Sequence, residues 1–280
     1  AKVRIFGMKK FLELEVDMDG KTLKPKALPF ATSKEPTHEN IPWIKEDGDK
    51  LLIAKGVHEV TQDLFIPGRF SLVLEEGACL KFAKDTVMIS QGAIIAKGTA
   101  ENPITFTSAD DSWGGALITN AKKRSRIEHL HFSNAVGIGP SLQKQGIERF
   151  GWMLTGGLTF HECNVDILNC KFSGLRSEDA LNLISSDFRM LGCFFSDVSS
   201  DALDGDFVKG LIKDCHFEQI GGDAIDVSGS DVSIEEVRVQ SVFDKGLSAG
   251  EGSSVMISNS SFQHVSYAIA SKDLSEVKAS

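Results

Sequence analysis

From Cys170 onward the chain repeats a short pattern of apolar and polar positions. Leu181, Leu203, Ile225, Leu247 and Ile269 recur at a constant spacing of 22 residues, each behind a small residue: Ala180, Ala202, Ala224, Gly246 and Ala268. Upstream of each stands a second marker, Phe172, Phe195, Phe217, Val239 and Phe262, with Cys170, Cys193, Cys215, Val237 and Ser260 two residues before it. Leu175, Val198, Ile220, Val242 and Val265 follow that marker. A spacing of two puts both side chains on one side of an extended strand. The positions between them, such as Lys171, His216, Arg238 and Ser261, are mostly polar. This is the alternation of a half-buried strand. No segment after Phe132 keeps a helical period over three turns.

A unit of 22 residues with short strands and polar turns such as Ser185-Ser186-Asp187 predicts one rung of a parallel β-helix. Rungs stacked at about 4.8 Å would align equivalent residues into columns. A leucine-rich repeat lacks its signature here, and a propeller needs a longer period. Ser71-Leu72-Val73-Leu74, Cys79-Leu80-Lys81-Phe82 and Ile104-Thr105-Phe106-Thr107 read as less regular rungs. The coil is expected over residues 57–280. Residues 1–56 are expected as an N-terminal cap and linker, with a short β-hairpin read from Val3–Phe6 and Phe11–Val16 and a turn signal at Asp19-Gly20. A glycine-rich excursion over 134–157 carries Arg149, Phe150 and Trp152. The repeat still runs at Ala268–Leu274, so the native chain is expected to continue past Ser280.

Composition narrows the function classes. The 280 residues carry 30 Lys+Arg against 39 Asp+Glu, a formal charge of −9, which argues against nucleic acid or an anionic membrane as the main partner. No apolar run approaches the roughly 18 residues of a membrane-spanning helix. The aromatic set is 18 Phe against 1 Tyr, a bias toward interior packing. All seven Pro lie at or before Pro140, as uninterrupted strand pairing beyond it requires. The five Cys include the inward column Cys170, Cys193 and Cys215, expected as buried small hydrophobes.

Lys97-Gly98-Thr99-Ala100-Glu101-Asn102-Pro103-Ile104-Thr105-Phe106, followed by Trp113-Gly114-Gly115, resembles a signature of secreted β-helix modules. With Asp179-Ala180-Leu181-Asn182, Asp201-Ala202-Leu203-Asp204 and Asp223-Ala224-Ile225-Asp226, the chain is similar to the right-handed single-stranded parallel β-helix proteins of the pectin-lyase-like superfamily, close to a group of uncharacterised bacterial members. The resemblance implies an all-β coil and an extracellular or cell-surface location. It leaves activity open, because lyases, hydrolases, epimerases, adhesins and tailspikes share the fold.

Candidate chemistry lies in two acidic columns. Asp179, Asp201 and Asp223 share one register, and Asn182, Asp204 and Asp226 another, with Asp206 beside them. Carboxylates stacked at rung spacing repel, so capping of turn amides, a cation or raised pKa values must relieve them. Capping by Asp at a repeated corner is one reading. A calcium site at Asp204 and Asp226 is another, with calcium the sole candidate cofactor. A third is catalysis. Ser200-Asp201, Gly222-Asp223 and Lys245-Gly246 resemble the successive catalytic segments of inverting polygalacturonases, with Asp201 and Asp223 as base and acid. Ala224 and Lys245 depart from that pattern. A lyase would draw on Arg176, Arg189, Lys209, Lys213 or Lys245. The preferred expectation is a non-catalytic module of an exported protein. It would bind glycan or a surface partner through Asp179, Asn182, Asp204, Asp206, Asp226, Arg176 and Trp152. A uronan-active lyase or hydrolase at Asp201, Asp223 and Lys245 is the alternative. The run Lys122–Arg126 reads as a solvated turn, and His129 with His131 lacks a third metal ligand.

Overall fold

The computed structural model describes residues 2–3, 12–13, 38–137 and 155–280. Trp152, Arg149, Phe150 and the Asp19-Gly20 turn signal lie outside the described residues. The chain divides into two units, Ala1–Lys34 and Glu35–Ser280. In the first, Lys2–Val3 pairs antiparallel with Leu12–Glu13.

The second unit is a parallel β-helix whose rungs each lay three strands on three faces. One rung places Lys171–Leu175 on the first face, Asp179–Ile184 on the second and Asp187–Leu191 on the third. The next repeats this with Phe194–Val198, Asp201–Asp206 and Lys209–Lys213. Third-face strands form an eleven-stranded sheet. The other two faces join into one sheet through Arg238–Gly250, a 13-residue strand that rounds their shared corner. The register matches the sequence repeat: Phe172, Phe195, Phe217 and Val239 pair in succession, as do Leu181, Leu203, Ile225 and Leu247. Both sets are fully buried. The Phe rings stack at 4.5 Å and 4.9 Å between centroids, because a rung repeat brings flat side chains to about that separation.

Corners are closed by side chains that satisfy the backbone. Between the third and first faces, Cys215 Sγ–H donates to the Lys213 carbonyl (3.2 Å) and Sγ accepts the Cys193 amide from the rung before (3.4 Å). Ser260 continues the pattern by accepting the Val237 amide. These cysteines are free and buried, as the sequence predicts. Between the second and third faces Ser230 Oγ donates to the Ser228 carbonyl (2.8 Å) and accepts the Val208 amide (2.9 Å). Many corners turn on a residue at positive φ, such as Asp214 (51°), Glu236 (55°) and Phe207 (53°).

Two expected boundaries move. Lys50–Ile53 pairs in parallel with Ser71–Leu74 and buries Leu51 and Ile53 completely, so the coil begins ahead of residue 57. The antiparallel strand Ile44–Asp47 covers that first edge. The excursion is narrower than 134–157, since Ala135 bridges Trp113 and Gly156–His161 is a second-face strand. Trp113 is fully buried and stacks on Phe82 at 3.9 Å. Gly115, at φ 118°, leaves room for the next rung: a Cβ there would meet the Gly157 carbonyl oxygen at 2.5 Å.

Candidate functional site

The corner between the first and second faces is the acidic one. Asp201 Oδ1 accepts the Asp223 amide of the next rung at 2.7 Å. Asp223 Oδ1 accepts the Lys245 amide one rung further at 2.9 Å. Asp179 Oδ2 accepts from Thr155 Oγ1 and Asn182 Nδ2, both at 3.0 Å. At Asp201 and Asp223, Asp therefore does at this corner what Cys and Ser do at the other two. Lys245 Nζ donates to both Asp223 oxygens at 3.2 Å and also pairs with Asp244. Capping thus accounts for Asp201 and Asp223, two of the residues the catalytic reading needs, and Lys245, the third, is paired with Asp223 and Asp244.

Three residues on, a second column points outward from the second face. Its register runs Thr159, Asn182, Asp204, Asp226 and Ser248, one residue per rung. Asn182 Nδ2 donates to Asp204 Oδ2 at 2.8 Å, linking the two columns through Asp179. The Asp226 carboxylate receives no hydrogen bond among the described residues. Three polar atoms in this one column are buried without a partner: Thr159 Oγ1, Asn182 Oδ1 and Ser248 Oγ. Their residues are 1%, 4% and 0% exposed. Buried polar atoms are nearly always paired, so three unpartnered atoms in one line set this column apart from the others. Thr159 and Ser248 were absent from the sequence expectation; counting the rung register one step either side of Asn182 and Asp226 finds them. Earlier rungs continue the column as Leu117, Ile89 and Phe65, an apolar cluster outside the main core.

Burial sets the electrostatics. It pushes Asp204 up to about 8, with the charges of Asp179, Asp206 and Asp226 adding to it. Asp201 rises to about 7 by burial, against the Asp223 amide and with the charge of Asp223. Asp179 rises to about 6 by burial, opposed by its bonds from Asn182 and Thr155. Asp223 is raised by burial and held back by Lys245, and Asp206 is raised by burial and by Glu251. Neutral carboxyls in this strip donate hydrogen bonds as well as accept them. Carboxylate oxygens of Asp201, Asp223 and Asp226 come within 4.8 Å of one another, but the Lys245 ammonium already neutralises Asp223.

Other expected residues are placed elsewhere. Arg176 forms an ion pair with Asp197 at 2.8 Å. Arg189 and Arg124 hold Asp166, Lys209 pairs with Asp231, and Lys213 with Glu235. Asp206 belongs to a further register beside Ile184 and Ser228.

No protein-family model matches the sequence, and no curated protein matches it. Among solved structures, an alginate lyase from Paenibacillus sp. str. FPU-7 is similar at 12% identity and TM-score 0.21, over 74% of this chain and 92% of that one. The periplasmic alginate epimerase AlgG is similar at 9% identity and TM-score 0.22, over 85% of this chain and 80% of that one. The Streptococcus pneumoniae surface protein and adhesin PfbA is similar at 11% identity and TM-score 0.21, over 83% of this chain and 90% of that one. Likeness at this level carries no argument about activity, and the parallel β-helix assignment rests on the chain's own strand register.

Proposed function

We infer that the chain is a non-catalytic binding module whose second face takes a glycan along the Thr159–Ser248 column, in an extracellular or cell-surface setting. The observation that carries this reading is the pair Asp204 and Asp226, half-buried on successive rungs and free of backbone bonds, in line with three unpartnered polar atoms. A linear sugar chain offers hydroxyls at regular intervals and would meet Asp204 and Asp226 on successive rungs. Asp204 and Asp226, free of backbone capping, would accept from or donate to those hydroxyls. Asp204 and Asp226, one rung apart, are also the hard oxygen donors that calcium prefers. Those residues would hold the ion, which would supply a bridge to a carboxylated sugar. Arg176 has no part in this reading, being engaged by Asp197.

One observation favours an enzyme: a carboxyl pushed up to about 8 beside another carboxylate is an acid–base arrangement. Against it stand the backbone bonds of Asp201 and Asp223 and the double pairing of Lys245. The test is a glycan array with and without calcium, on the natural chain and on Asp204→Asn/Asp226→Asn. Binding that is lost in the double variant supports the module, and an array silent under both conditions refutes it. Incubation with pectate and alginate, followed by unsaturated-uronate absorbance and reducing ends, addresses catalysis. Turnover abolished by Asp201→Asn or Asp223→Asn would replace the binding reading with the enzymatic one.

A further inference from the structure

The last rung of the coil has one free side. Among the described residues, Ser261–Ser271 pairs only with Arg238–Gly250, and Glu276–Ala279 only with Ser254–Ser258. The inward columns therefore end uncovered. Leu247 is buried, whereas Ile269, next in its line, is exposed, and Phe262, Val265 and Val277 are half-buried. Edge strands are ordinarily blunted by Lys, Pro or an inward charge. Ser261–Ser271 carries no Lys, Pro or carboxylate over eleven residues. At the opposite end of the coil the antiparallel strand Ile44–Asp47 covers the edge. Leu274 is a second observation. Ser230, Ser253 and Ser275 form one corner column, and the residue before each sits at positive φ: Gly229 (60°), Gly252 (74°) and Leu274 (64°). Glycine takes that left-handed position readily, and leucine is strained there. Leu274 is also fully exposed, so a surface that buried it would offset that strain.

We propose that a second copy of this chain docks on the last rung, end to end, about a two-fold axis through Val277. The argument is self-complementarity. In Glu276-Val277-Lys278, Val277 packs against the core while the two flanking charges are exposed, meeting each other at 3.2 Å in the single chain. Two such strands paired antiparallel about Val277 set each Glu276 opposite the other copy's Lys278, with the valines side by side. Ser261–Ser271 rounds the corner between the first and second faces, so the same axis lays its first-face half against the second-face half of its copy. Lys272 and Lys278 balance Asp273 and Glu276 on this rung, so two chains of charge −9 meet there without net repulsion. Residues 261–280 supply about 20 residues, the size of one side of a stable interface. A two-fold contact closes on itself and gives a dimer, where a head-to-tail contact would give a fibre. Neither Asp204 nor Asp226 lies on this rung, so the dimer stands apart from the glycan reading.

The experiment is sedimentation equilibrium of the 280-residue chain over a wide concentration range. The expected result is a monomer–dimer equilibrium with no larger species. Lys278→Glu sets like charges opposite each other twice in the dimer and is expected to weaken association roughly fivefold or more, as is Glu276→Lys. An equimolar mixture of these two variants recreates opposite charges at both places and is expected to associate as the natural chain does. Leu274→Gly suits the backbone of its turn, so it is expected to weaken the dimer severalfold while the thermal midpoint of the dilute monomer holds or rises. A monomer at every concentration, growth beyond the dimer, or a mixture no tighter than either variant alone overturns the proposal. A dimer indifferent to both charge variants also overturns it, and points to an edge shaped for a further rung of a longer chain.

Discussion

Replacing Asp204 by Asn removes the most strongly raised carboxyl of the ladder while keeping its shape. Burial holds Asp204 near 8 against an ordinary value of 3.8. The folded chain therefore keeps this proton more tightly than the unfolded chain does. Stability from the group is fully present below the ordinary carboxyl value, declines as pH rises, and levels off above about 8. At about 1.4 kcal/mol per pKa unit the whole shift would correspond to somewhat over 5 kcal/mol. The charges of Asp179, Asp206, Asp226 and Asp201 contribute to that shift, so the part belonging to Asp204 alone is smaller, about 2 kcal/mol. Urea unfolding of the natural chain at pH 5 and pH 8.5 should show a lower midpoint at the higher pH with an unchanged slope. Because the ordinary carboxyl value lies below pH 5, Asp204→Asn should already exceed the natural chain at pH 5, and by a wider margin of about 2 kcal/mol at pH 8.5. Histidines that titrate in the same window affect both chains equally and cancel in the difference. A natural chain whose stability rises over this range, or a variant as pH-sensitive as its parent, would refute the electrostatics of the column.

Phe195→Ala empties the centre of the stacked column and should cost about 3–5 kcal/mol in thermal or urea unfolding; a loss under about 1 kcal/mol would mean the ring stack does not hold the core. Asp166 has its carboxyl held below the usual range by the bidentate Arg189, with burial opposing and Arg124 assisting. Its contribution is present above the ordinary carboxyl value and lost as pH falls through the lowered one. Asp166→Ala should cost about 2 kcal/mol at pH 7, and the gap to the natural chain should close in acid. Gln219, exposed and at φ 57°, occupies a left-handed position. Gln219→Gly relieves about 1–2 kcal/mol of backbone cost against about 0.5–1 kcal/mol of added chain entropy, so the thermal midpoint should rise slightly.

The coil itself was legible because a rung repeat writes itself into the sequence. The invariant 22-residue spacing of Leu181, Leu203, Ile225 and Leu247 admits one way of stacking strands, and every pairing follows it. The acidic columns were legible for the same reason, since register follows from counting. Their chemistry was not. Asp201 and Asp204 are three residues apart and alike in composition, yet one caps an amide of the next rung and the other does not. That difference depends on where the corner falls, and so does the burial that raises both. Lys50–Ile53 escaped the sequence reading because its repeat is imperfect, and only pairing with Ser71–Leu74 reveals it as a rung.

Sequence by itself thus determined the repeat, the inward columns of Cys, Phe and Leu, and which polar residues share a line. These depend on strand periodicity, a local property carried by each rung alone. Tertiary structure decided which of those lines are spent on holding corners and which are left without backbone partners. Hydrogen bonds and desolvation arise between rungs that the chain brings together only once it has wound, so no single rung contains that information.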